Sequence, residues 1–195
     1  ASVMTEIGKN VFKGCKALEE ISLPESLKTV ANGAFYDCAS LASFSCAGKI
    51  EEIGDLAFRY SGIRSIDLAG VKKIGASAFE GCASFTEIFG PYNTVQLGDG
   101  AFACCSNVTV VTFENQKETI EFGDRIFDGF ASMTSFVMPI GITTLGDYMF
   151  AGTGIVNANI YENGVAFYFF TRGVFANCEK LVSVYIQEIP DHSGS

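Results

Sequence analysis

The stretch IGKNVFKGCKALEEISLP, residues 7–24, decides the architecture, because it returns with changes along the whole 195-residue chain. Its phenylalanine recurs as Phe12, Phe35, Phe58, Phe79, Phe102, Phe127, Phe150 and Phe175, at intervals of 23, 23, 21, 23, 25, 23 and 25 residues. Five places before each marker stands a large apolar residue: Ile7, Val30, Ile53, Ile74, Leu97, Phe122, Leu145 and Phe170. Glycine follows it in six of the eight copies, at Gly8, Gly54, Gly75, Gly98, Gly123 and Gly146, with Ala31 and Thr171 as exceptions. Three places after the marker come Cys15, Cys38, Ser61, Cys82, Cys105, Phe130, Thr153 and Cys178. One such unit has an apolar face that it cannot bury alone, and stacking successive units buries it.

Each unit reads as three parts. In Ile21-Ser22-Leu23 two apolar side chains alternate with a polar one, which predicts a strand with one buried face. The glycine after the apolar residue suits a corner that needs unusual backbone angles or close approach of another chain. Ala76-Ser77-Ala78-Phe79-Glu80 is too short for an ordinary helix and predicts one helical or 3₁₀ turn, its alanine and phenylalanine packing behind the sheet.

The pattern I-G-x-x-A-F-x-x-C-x-x-L-x-x-I-x-L-P, carried best by residues 7–24, 30–46 and 74–88, resembles the BspA-type leucine-rich repeat. The resemblance covers roughly residues 7–186. Around Phe58 and Phe150 the units depart from it, with Ser61-Gly62-Ile63 and Thr153-Gly154-Ile155 one residue shorter before the strand. It implies a β-rich repeat solenoid: a curved, right-handed leucine-rich-repeat superhelix of about eight 23-residue coils, with a parallel β-sheet on its concave face. For many bacterial and some protist relatives it also implies a secreted or surface-attached protein that adheres to host molecules.

A continuous repeat makes residues 1–195 one elongated domain rather than two. The repeats occupy about 7–186 and a polar tail 187–195, and the absence of polar caps leads us to expect a segment of a longer protein. A net charge of −9 with no basic run argues against nucleic acid and against docking on anionic lipid. No apolar run approaches a membrane helix. Five of the seven cysteines share one repeat column. Coils stack about 4.8 Å apart, whereas a relaxed disulfide wants its Cβ atoms near 3.8 Å. The column therefore reads as buried thiols acting as small hydrophobes. Cys104, beside Cys105, is the cysteine expected to be accessible.

Nothing in the chain points to catalysis or to a cofactor. His192 is the only histidine and lies in the tail, so histidine-based triads and metal sites have no basis. Asp55, Asp99, Asp124 and Asp147 each stand three residues before a marker, the last three in consecutive coils. Such a carboxylate ladder can hold calcium, but capping of the short turn by accepted backbone N–H bonds explains it better. Asn107-Val108-Thr109 is a sequon at a strand entrance and reads as incidental.

What remains is the outer face of the strands. One outward column runs Glu20, Ser43, Ser65, Glu87, Val110, Ser135, Asn157, Ser183, and the next Ser22, Ser45, Asp67, Phe89, Thr112, Val137, Asn159, Tyr185. Eight strands make a surface about 35 Å long, enough for an extended partner. Phe89, Val110 and Val137 form an apolar centre on a mild polar face, which marks an interaction site. Thr112, Asp67, Glu87, Ser135, Asn159 and Tyr185 form its hydrogen-bonding rim. The expectation is a non-enzymatic module of a secreted or cell-surface protein that recognises an extracellular protein or glycan. The competing expectation is a structural spacer that presents another domain. Phe167 and Phe170 fall on core columns while Tyr168 and Phe169 do not, so this region, like the uncapped ends, is a candidate for self-association.

Overall fold

A computed structural model describes residues 3–89, 94, 96–112, 120–136, 145–162 and 171–188. In chain order its strands are β1 (Glu6–Ile7), β2 (Glu20–Leu23), β3 (Thr29–Val30), β4 (Ser43–Cys46), β5 (Glu52–Ile53), β6 (Lys73–Ile74), β7 (Glu87–Phe89), β8 (Gln96–Leu97), β9 (Val110–Thr112), β10 (Glu121–Phe122), β11 (Asn157–Glu162) and β12 (Ser183–Glu188). All pairings among them are parallel, and partners lie one coil apart. The chain is a parallel β-solenoid, as the 23-residue period predicts.

The apolar-glycine corner is itself a sheet. The two-residue strands β1, β3, β5, β6, β8 and β10 stack in that order, placing Ile7, Val30, Ile53, Ile74, Leu97 and Phe122 in one register. On its outer side Glu51 lies between Lys28 at 3.3 Å and Lys72 at 3.0 Å. Hydrogen bonds from Lys72 and Lys28 hold its carboxyl below the usual range.

Among the described residues the longer strands form pairs, not the continuous sheet expected from the outward columns: β2 with β4, β7 with β9, and β11 with β12. Residues 63–68, which should supply the strand between β4 and β7, have no strand pairing. That coil is short on both sides. Only 21 residues separate Phe58 from Phe79, so it spans the same cross-section with two residues fewer than its neighbours. The other shortened unit, at Thr153, keeps its strand because 25 residues separate Phe150 from Phe175. β12 continues past Ile186, with Gln187 and Glu188 in register with Tyr161 and Glu162.

A six-residue turn surrounds each of the eight phenylalanines. Its N–H groups alternate in direction. Ala78, Glu80 and Cys82 donate within the turn to Gly75, Ser77 and Phe79 carbonyls, while Ser77, Phe79 and Gly81 donate to Asp99, Ala101 and Ala103 of the next coil at 2.7–2.8 Å. The within-turn bonds are of the expected 3₁₀ kind. The outward ones require a left-handed residue two places on either side of the marker, as at Ser77 (φ 52°) and Gly81 (φ 71°).

The phenylalanine ladder fills the core. Rings of Phe12, Phe35, Phe58, Phe79 and Phe102 stack at 5.1–5.3 Å, and Phe127, Phe150 and Phe175 at 5.6 Å. Phe44 and Phe85 meet the ladder edge-on, the geometry that suits the ring quadrupoles. No helix among the described residues is long and apolar enough to cross a membrane.

Candidate functional site

The cysteine column is structural. The thiols of Cys38, Cys82, Cys105 and Cys178 donate to the carbonyls of Phe12, Phe58, Phe79 and Phe150, each in the preceding coil, at 3.0–3.2 Å. Ser61 and Thr153, which occupy the column in the two shortened units, meet the next cysteine at 3.5 and 3.3 Å. All seven cysteines are unbridged. Burial pushes the Cys82 thiol up to about 12 and Cys105 well above its ordinary value, which leaves almost no thiolate for nucleophilic chemistry. Cys104 is exposed as expected, yet partial burial and the nearby Asp128 carboxylate raise its thiol too.

The aspartate ladder accepts backbone N–H bonds, although not from its own turn. Asp55 accepts the Ala76 N–H, Asp99 that of Asp124, Asp124 that of Asp147 and Asp147 that of Arg172, at 2.7–2.9 Å. Each side chain ties its coil to the next, and Asn32 does the same for Asp55 at 3.1 Å. Among the described residues no group of three acidic, histidine or cysteine side chains is placed to hold a metal ion. The Asn107 amide is occupied by the Ala83 carbonyl at 2.9 Å.

On the long-strand face the predicted residues fall into two groups. Parallel register places Glu87 beside Val110 and Phe89 beside Thr112 in β7 and β9. Phe89 is 64% and Val110 44% exposed, large values for apolar side chains in paired strands. Three coils further on, about 15 Å away, Asn159 and Tyr185 are partners in β11 and β12, with Tyr185 52% exposed. Between the groups Ser135 is exposed in a stretch without strand pairing. Val137, the third apolar anchor, lies outside the described residues, as do Phe167, Tyr168, Phe169 and Phe170.

Asp67 sits in the irregular 63–68 segment, where it accepts the Ala69 N–H at 2.9 Å. Its segment separates two concavities. One, of about 120 Å³, is bounded by Arg64, Ser65 and Ile66 on one side and Thr86, Glu87 and Phe89 on the other. The second, of about 200 Å³, lies between Ser45 and Cys46 of β4 and Ile66 and Asp67. Arg64, Ile66 and Thr86 were not among the predicted face residues. The signal for them was the 21-residue interval, which marks the coil that breaks the ladder.

The model of the BspA type leucine rich repeat region matches residues 2–70 and 57–182 in six copies, against the eight phenylalanine turns among the described residues. No curated protein matches the chain. A leucine-rich repeat protein from Bacteroides ovatus ATCC 8483 superposes with a TM-score of 0.69 at 23% identity over 95% of this chain. This chain spans only 59% of that protein. A leucine rich cell surface protein from Faecalibacterium prausnitzii A2-165 superposes with a TM-score of 0.55 at 20% identity, covering 98% of this chain and 70% of its own. At such identities the two structures share the fold with this chain and carry no ligand across. With a repeat model matched over nearly its whole length and a solenoid built on the same period, the chain belongs to the BspA-type leucine-rich repeat family.

Proposed function

We propose that this chain is a non-enzymatic recognition module of a secreted or cell-surface protein, binding an extracellular protein or glycan through its long-strand face in an adhesive role. The carrying observation is that Phe89 and Val110, diagonal neighbours in β7 and β9, are exposed beside the polar Glu87 and Thr112. Solenoid interiors absorb apolar side chains readily, and here the core is already filled by the phenylalanine ladder. Apolar side chains held outward on rigid, paired strands are preorganised for contact, because little side-chain entropy is lost on binding. The cell-surface description of the Faecalibacterium protein supports the location.

The test is binding of the purified chain to immobilised extracellular-matrix proteins and glycans, beside a Phe89→Ala, Val110→Ala, Val137→Ala variant. The wild-type chain is expected to bind, and the variant to bind at least about tenfold more weakly with an unchanged melting temperature. A variant that binds as well as wild type overturns the assignment of the face. Failure of both forms to bind favours the spacer.

A further inference from the structure

The ladder of the long-strand face is regular where strands pair. Ser43 N–H donates to the Glu19 carbonyl at 3.2 Å, Ala47 to Leu23 at 3.3 Å, and Thr109 to Thr86 at 2.9 Å. No backbone bond of this kind joins residues 63–68 to β4 or to β7. The residues that would have made those bonds, Arg64, Ser65, Ile66 and Asp67, instead border the two concavities, which share Ile66. A backbone group without a protein partner needs another one. Concavities of about 120 and 200 Å³ have room for several water molecules or for groups that replace them.

We propose that this interruption is a saccharide subsite, seating a neutral pyranose against Phe89 with its hydroxyls directed into the Arg64–Glu87 concavity. The proposal rests on the recognition reading above and names the ligand chemistry of that face. A sugar hydroxyl, like water, donates and accepts at once, so it can replace water on backbone N–H and carbonyl groups that have no partner in the neighbouring coils. Glu87 and Arg64 are exposed and have no ion-pair partner among the described residues. One accepts and the other donates two hydrogen bonds, which suits vicinal hydroxyls. Phe89, 64% exposed beside them, offers a flat apolar surface for the C–H face of the ring.

Charge selects among sugars. Arg64 and Lys49 are balanced by Glu87 and Asp67 around the two concavities, so the slot has no excess cation for a carboxylated or sulfated ring, and a net charge of −9 favours neutral ones. An extended polypeptide fits less well. Strand addition needs a free sheet edge, and here the edges of β4 and β7 face each other across residues 63–68 instead of facing solvent.

The experiment sets the full chain, Phe89→Ala, Glu87→Gln and, from the turn after Phe12, Lys13→Ala against an array of neutral and sialylated oligosaccharides, with matrix proteins alongside. Thermal melts of each variant confirm folding. The expected result is binding confined to neutral glycans, weakened about tenfold or more by either Phe89→Ala or Glu87→Gln. It should be unchanged by Lys13→Ala and be displaced by a free methyl glycoside. Glycan binding that survives both slot variants, or that prefers sialylated chains, overturns the subsite. Protein binding without glycan binding also overturns it but leaves the recognition reading standing. Binding to neither class removes both.

Discussion

Gly75 follows Ile74 because there is no room for anything larger. Its backbone lies outside the left-handed region, and an added Cβ would stand 2.5 Å from the Asp55 nitrogen and 2.6 Å from the Gly54 carbonyl carbon, both main chain of the preceding coil. Gly54, Gly98 and Gly123 press on the coil before them in the same way. In the first coil, Gly8 would meet only Val11 Cγ2 at 3.4 Å. Of the two reasons for this glycine column, close approach is therefore the operative one. We expect Gly75→Ala to cost about 1–3 kcal/mol and Gly8→Ala close to nothing, by urea denaturation of each. Equal costs would mean that the column serves the turn and not the stacking. The positions that do need left-handed angles lie two residues either side of each phenylalanine. They hold seven glycines and nine other residues, Leu56, Tyr60, Arg125 and Tyr148 among them. Glycine, asparagine and aspartate fill ten of the sixteen, but Leu56, Tyr60, Ser77, Cys104, Arg125 and Tyr148 fill the rest, so the full column was not legible in the sequence.

Among the elements, the aspartate ladder and the broken sheet show what a coil owes to its neighbours. Asp124 Oδ1 accepts the Asp147 N–H at 2.7 Å, a bond between coils. Asp124→Ala strands that N–H and should cost about 1–2 kcal/mol. Asp124→Asn keeps an acceptor and should cost less than half as much. Calcium should leave the melting temperature of the wild-type chain unchanged; a calcium-dependent rise would restore the metal reading of the ladder. The role of the carboxylate as a backbone acceptor was legible from its place beside the corner. The donor's identity was not, because one coil's residues do not state how far the next is offset along the axis. The outward columns likewise predicted Glu87, Phe89, Val110 and Thr112 in their right places. They missed Arg64 and Ile66, since alternation within 63–68 looks like any other strand until its length is weighed against the coils on either side.

For the whole molecule, the thiol column links stability to pH. Burial raises Cys38, raises Cys82 to about 12, and raises Cys105 well above the ordinary 9.0. The folded chain thus holds these protons to higher pH than the unfolded chain. Their contribution is fully present below about pH 9 and is lost as pH climbs through the folded values. Urea midpoints should fall from pH 9 upward, and Cys82→Ser should flatten part of that fall. An unaltered slope in the variant would assign the alkaline loss to other groups. The period, the apolar columns, the phenylalanine ladder and the solenoid itself were determined by sequence alone. Each is a repetition of volume and polarity within one coil, and stacking only multiplies it. The break in the long-strand sheet, the left-handed turn positions and the direction of the aspartate bonds were decided by the tertiary structure. Each depends on a difference between adjacent coils, in length or in offset, and that difference becomes a distance only once the coils are stacked.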